Sequence, residues 1–154
     1  MNKLVAILGL LFALPVFADV TISDCVIVEP APGVSRTALF FNAELKITDE
    51  VKAMRTPSPE AILGADIPAL SNRIEMHKTE MKDGVMKMQR IPKLFLKKDG
   101  VTKLQKGGLH FMLMDLHKRP VAGETYPVTL WLTYLSDQSC EAKVVKASVL
   151  TQKP

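Results

Sequence analysis

The sequence predicts an all-β protein, an antiparallel β-sandwich. Short runs rich in Val, Ile, Thr and Phe recur along most of the chain, and Pro, Asp-Gly and Gly-Gly signals separate them. Apolar residues almost nowhere recur at the helical period. About seven or eight strands at such spacing are the pattern of a sandwich rather than of a sheet covered by helices.

The elements follow in order. Residues 1–18 come first, with Lys3, an apolar run from Leu4 to Phe17, and Val16 and Ala18 before a change to polar sequence. That order is a secretory signal with cleavage after Ala18. The run is short of the roughly 20 residues a membrane-spanning helix needs, so residues 19–154 are expected to be one exported, soluble domain, not embedded in a membrane. "DVTISDCVIVEP" is the first strand, stopped by Pro30-Ala31-Pro32-Gly33. "TALFFNAELKI" is the second. "RTPSPEAILGADIPALS" reads as loop with a short turn of helix, because its prolines and glycine break both periods. "NRIEMHKTEM" and "GVMKMQRI" flank Asp83-Gly84 and form a hairpin. "KLFLKKDGVTKLQKGG" carries a second Asp-Gly and then a glycine pair. "LHFMLMDL" is a strand ended by Lys118-Arg119-Pro120. In "ETYPVTLWLTYLS", Val128, Leu130 and Leu132 alternate with Thr129, Trp131 and Thr133, and "EAKVVKASVLT" closes the chain.

Charge and cysteine content narrow the function. The formal net charge is +4, falling to about +3 without Lys3, and the lysines are scattered. A solvated surface accounts for this better than nucleic-acid binding. Cys25 lies well beyond the apolar run, which argues against a lipid-modified N-terminal cysteine. Cys25 and Cys140 stand near opposite ends of the domain. A disulfide between them would close most of it into one loop, worth about 4–5 kcal/mol in the chain-entropy account; free or metal-binding thiols are the alternative. There is no C-x-x-C, no G-x-S-x-G, no zinc motif and no catalytic triad spacing, so an enzyme is not expected.

Methionine and histidine are unevenly placed. Of the seven methionines after the initiator, six lie between Met76 and Met114, and His77, His110 and His117 fall in nearly the same window. Methionine as core filler is the bland account of any one of them. Strand parity resists it in "LHFMLM": Leu109, Phe111 and Leu113 supply a core face, which leaves His110, Met112 and Met114 on the other. His110 and Met112 can reach one point beyond that face. Met86 and Met88 also share a face, but the opposite face is polar, so core packing is expected for Met86. Met88 is expected at the rim, where the hairpin brings it near His77. Thioether sulfur is soft and neutral and favours Cu(I) over Zn(II), Mg(II) or Ca(II); imidazole adds affinity and tolerates Cu(II) more weakly.

The spacing H-x10-M-x21-H-x-M, from His77 through Met88 and His110 to Met112, resembles the signature of the PCuAC family of periplasmic copper chaperones. The flanks "GVMKM", "KGGLHFMLMDL" and "KRPVAGETYPVTL" agree, whereas Arg36 to Leu70 match poorly. The resemblance implies a cupredoxin-like Greek-key sandwich binding Cu(I) through His77, Met88, His110 and Met112. It further implies a monomeric periplasmic metallochaperone that delivers copper toward a haem–copper (cytochrome c) oxidase, its partner being the oxidase copper subunit or a Sco-type thiol protein. A copper buffer or resistance protein without a dedicated acceptor is the alternative. His117 reads as a solvated loop residue, and whether Met81 or Met86 assists is open.

Overall fold

The computed structural model describes residues 19–151, so the expected signal segment lies outside the described residues. Ten strands are present: β1 Val20–Val28, β2 Thr37–Leu45, β3 Ala61–Asp66, β4 Arg73–Lys82, β5 Val85–Ile91, β6 Leu94–Phe95, β7 Gly100–Lys103, β8 Leu109–Met114, β9 Thr125–Leu132 and β10 Gln138–Val145. A five-residue helix, α1 Asp49–Ala53, and a closing 3-10 turn, Ala147–Thr151, complete the described chain. The last expected strand therefore stops at Val145.

The strands are hydrogen-bonded in the order β5-β4-β8-β2-β1-β10-β9-β3-β6, and β7 also pairs with β2. One edge of β2 is shared: Thr37–Leu39 face β8, and Asn42–Leu45 face β7. β3 and β4, far apart along this path, come into contact, so the sheet folds over on a common core. Strict alternation builds that core. Tyr126, Val128, Leu130 and Leu132 of β9 are buried, and Phe41, Leu39, Phe111, Leu113, Ile27 and Val144 meet them from the other strands.

The fold class is the all-β one expected, with one pairing of a different kind. β1 and β10 run parallel, Val26 opposite Lys143 and Val28 opposite Val145. A parallel pair needs a long crossover, and here nearly the whole chain between the two strands is that crossover. Cys25 and Cys140 form a disulfide across this seam, with Cα atoms 6.5 Å apart and 115 residues between them in sequence. Cys25 sits in a bulge where the β1–β2 register shifts between Ser23 and Val26. Asp24, at φ 54°, marks the kink, and its carboxylate accepts a 2.6 Å hydrogen bond from Asn42.

Two local expectations are corrected. The segment read as loop contains β3, which pairs with β9 through Ile62–Leu132 and Ala65–Leu130. Burial of Ala61, Ile62 and Ala65 outweighs the breakers around them. The buried carboxylate of Glu60 helps to hold this strand, accepting backbone N–H bonds from Ala61, Thr133, Tyr134 and Leu135. The helical turn lies earlier, at α1, where the Thr48 side chain accepts from the Val51 N–H and Asp49 and Glu50 occupy the positive first turn.

Candidate metal centre

The β4–β5 hairpin turns at Asp83 and Gly84, with φ 53° and 75°. Positive φ at both central residues is the two-residue turn whose twist suits a hairpin. It sets the register: Met81 opposite Met86, Thr79 opposite Met88, His77 opposite Arg90. On its other edge β4 meets β8, with His77 opposite His110 and Glu75 opposite Met112. Opposed residues of an antiparallel pair point to the same face. Glu75, His77, Thr79, Met81, Met86, Met88, His110 and Met112 therefore share one face. The reverse face of the same strands presents the buried Met76, Phe111 and Leu113 to the core. β2 extends the floor, with Ala38 opposite Met112 and the Phe40 ring centroid 6.2 Å from that of His110.

Each imidazole is held by one nitrogen. His77 Nε2 lies 3.0 Å from Glu75 Oε2. A carboxylate only accepts, so in the neutral ring Nε2–H donates to Glu75 and Nδ1 turns its lone pair toward Met88 Sδ, 3.1 Å away. His110 Nδ1–H donates to the Gly108 carbonyl at 3.1 Å, which leaves Nε2 as its free lone pair. The two rings meet nearly at right angles, with centroids 5.6 Å apart. Histidines that bind metals are oriented in this way by an acceptor on the second nitrogen.

Burial holds the His110 imidazole below its ordinary value; the Gly108 hydrogen bond opposes this and nearby His77 reinforces it. The ring is therefore neutral near pH 7, the form that ligates. The hydrogen bond from His77 holds the Glu75 carboxyl below the usual range, against desolvation and with help from Arg90 and Arg73.

A cleft of about 300 Å³ opens on this face, lined by Phe40, Thr79, Met86, Met88, His110 and Met112 among others. Three of the four residues singled out from sequence line it, and the fourth, His77, touches Met88 and His110. Exposure is graded: His110 is 5% exposed, Met112 partly buried, and Met88 53% exposed. Met114 lies two residues beyond Met112, opposite Arg73, and His117 is exposed in the following loop.

Met86 is not in the core, as its polar reverse face had led one to expect. It is 62% exposed, because β5 is the last strand of the sheet and among the described residues no further strand pairs beyond it. Glu75 went unnoticed in the sequence, although its place two residues before His77 puts it on the same face. Both cysteines are tied to each other, so neither is a thiolate ligand and Cys25 is not available to carry a lipid. Among the described residues no three His, Cys, Asp or Glu side chains are grouped to hold a metal ion. Among the described residues no helix is long and apolar enough to cross a membrane.

This strand order is that of a cupredoxin-like β-domain. Its structural neighbours include PCuAC domains. The copper-bound PCuAC domain from PmoF2 superposes with a TM-score of 0.65 at 16% identity, over 84% of this chain and 94% of that one. The Cu(I) form of DR1885 from Deinococcus radiodurans gives a TM-score of 0.61 at 25% identity, over 82% and 77%. Its apo form gives 0.57 at 23%, over 94% and 95%. Residues 20–144 match the LpqE-like lipoprotein family, and the chain belongs to that family. No curated protein matches the sequence.

Proposed function

We propose that this protein is an exported Cu(I) metallochaperone that holds one tightly bound ion between His77 Nδ1, Met88 Sδ, His110 Nε2 and Met112 Sδ. The observation that carries the reading is the approach of His77 Nδ1 and Met88 Sδ at 3.1 Å, two lone-pair donors turned toward each other. Two imidazoles and two thioethers carry no charge, so they suit a monovalent soft ion. Copper is bound in two structural neighbours, the PmoF2 domain and the Cu(I) form of DR1885, which supports the same cargo.

The graded exposure supports delivery over storage. Met88 is open to solvent, so an incoming ligand replaces it first, while buried His110 holds the ion until the exchange is complete. The LpqE-like family and the disulfide support export to an oxidising compartment, the periplasm in our reading. The acceptor we propose is the copper site of a haem–copper oxidase, reached through its copper subunit or a Sco-type thiol protein.

Anaerobic Cu(I) titration with X-ray absorption at the copper edge tests the centre. One tight equivalent with mixed nitrogen and sulfur scattering is expected. Replacing Met88 and Met112 together by Leu should keep the fold and sharply weaken binding; unchanged binding sinks the assignment. Loss of oxidase copper loading in a deletion strain supports delivery, and copper sensitivity with normal loading points instead to a buffer.

A further inference from the structure

Beyond the cleft, the β4–β5 hairpin carries soft chemistry that the four-residue centre leaves unused. Met81 is paired directly with Met86, one rung farther from His77 than the Thr79–Met88 rung. The ladder is regular from His77 to Lys82, so both thioethers lie on the same face as the centre. Directly opposed residues have Cβ atoms about 4.5–5.5 Å apart, and methionine has three rotatable bonds, so two sulfurs on one rung can converge on one ion. Successive rungs on one face are about 7 Å apart along the strand.

Both side chains are in water. Met81 is 66% exposed and Met86 62%, on a hairpin whose outer strand ends the sheet. Neither contributes to the core cluster, so packing does not account for them. Met86 also lines the same cleft as Met88, His110 and Met112, with Thr79 and Lys106 beside them, so thioethers lead from the hairpin toward the buried histidine. Glu80 and Lys87 stand opposite each other on the reverse face, where Glu80 pairs with Lys78. What remains on this rung is sulfur alone, neutral and selective for soft monovalent ions.

We infer that Met81 and Met86, with Met88 shared between the two positions, form a second and weaker Cu(I) site through which copper enters and leaves the centre. The inference rests on the chaperone reading above and adds its route of exchange. Thioethers without imidazole bind more loosely than the inner set, as a transfer position requires. Each step exchanges one Cu–S or Cu–N bond for another, with no change of oxidation state. Met88 is common to both positions, so the ion moves between them without being released to water.

Ag(I), a redox-inert soft probe, tests this on the protein labelled with 13C at its methionine methyls. The first equivalent is expected to shift Met88 and Met112, and further Ag(I) to shift Met81 and Met86 together. The double variant M81L/M86L should keep the first equivalent at unchanged affinity, lose the second, and pass Cu(I) to a competing chelator more slowly. Methyl signals of Met81 and Met86 that never move, or a double variant that transfers at the wild-type rate, overturn the second site and leave the centre standing. Ag(I) that leaves Met88 and Met112 unmoved overturns the centre itself.

Discussion

Glu75 and His77 form a half-hidden pair, their side chains 15% and 13% exposed and their facing atoms 3.0 Å apart. Arg73 and Arg90 stand 3.7 and 3.9 Å from the same carboxylate. The pair fixes which nitrogen of His77 is left for a ligand, so in the proposed centre it would orient His77 without touching the ion. Replacing Glu75 by Ala is expected to lower Cu(I) affinity about 10–100-fold, the usual effect of losing such an orienting partner. Glu75→Gln, whose amide oxygen still accepts from Nε2–H, should lose less. Competition against a Cu(I) chelator measures both, and equal affinities for the two variants would contradict the role.

Glu60 has a purely structural part. It is 7% exposed and its carboxylate accepts from four backbone N–H groups on two segments. Glu60→Ala leaves those donors buried and unmatched, at a cost of about 2–4 kcal/mol. Urea denaturation of the metal-free variant reads this directly. A loss below about 1 kcal/mol would mean that water replaces the carboxylate there.

The disulfide joins the first and last strands across 115 residues. Replacing Cys25 and Cys140 together by Ser should lower stability by up to about 4–5 kcal/mol, chiefly by freeing the unfolded chain. The same denaturation experiment, run beside reduced and oxidised wild type, checks it. Cu(I) affinity should survive in the fraction that remains folded, because neither sulfur belongs to the centre.

Acid sensitivity should involve Glu124. Its carboxyl is lowered from the ordinary 4.5 to about 2 by hydrogen bonds from the Val121 N–H, the Tyr126 hydroxyl and Lys118. The unfolded chain binds this proton at higher pH than the folded one, so stability rises with pH across that window. The contribution is complete above about pH 4.5 and is lost as pH falls toward about 2. Glu124→Gln should be less stable than wild type at pH 6, with the gap closing toward pH 2. Parallel melting curves with a constant gap would show that the carboxylate charge is irrelevant.

Much of the shared His/Met face was legible because strands obey parity. The Asp83-Gly84 turn dictates that Met88 faces Thr79 and comes beside His77, and alternation in "LHFMLM" separates His110 and Met112 from the core. β3 was hidden because Pro57, Pro59 and Gly64 are breakers whose effect is offset by burial against β9, a contact made with residues far away in sequence. Met86 misled for a related reason. An apolar side chain opposite a polar face signals a core only where another layer exists, and an edge hairpin has none. The parallel β1–β10 seam depends on both ends of the chain and has no local signature.

The direction in which the sheet runs also decides how the centre is presented. Val20 pairs with Leu45, whereas Val26 pairs with Phe40, the aromatic neighbour of His110. Six residues of extended chain place the start of β1 roughly 20 Å along the sheet from the level of His110. β4 has Lys78 opposite Leu109 and continues past it, so the Met81–Met86 rung and its turn extend toward that same end, and an anchor or fusion attached ahead of Val20 holds the protein on the side to which the methionine hairpin points.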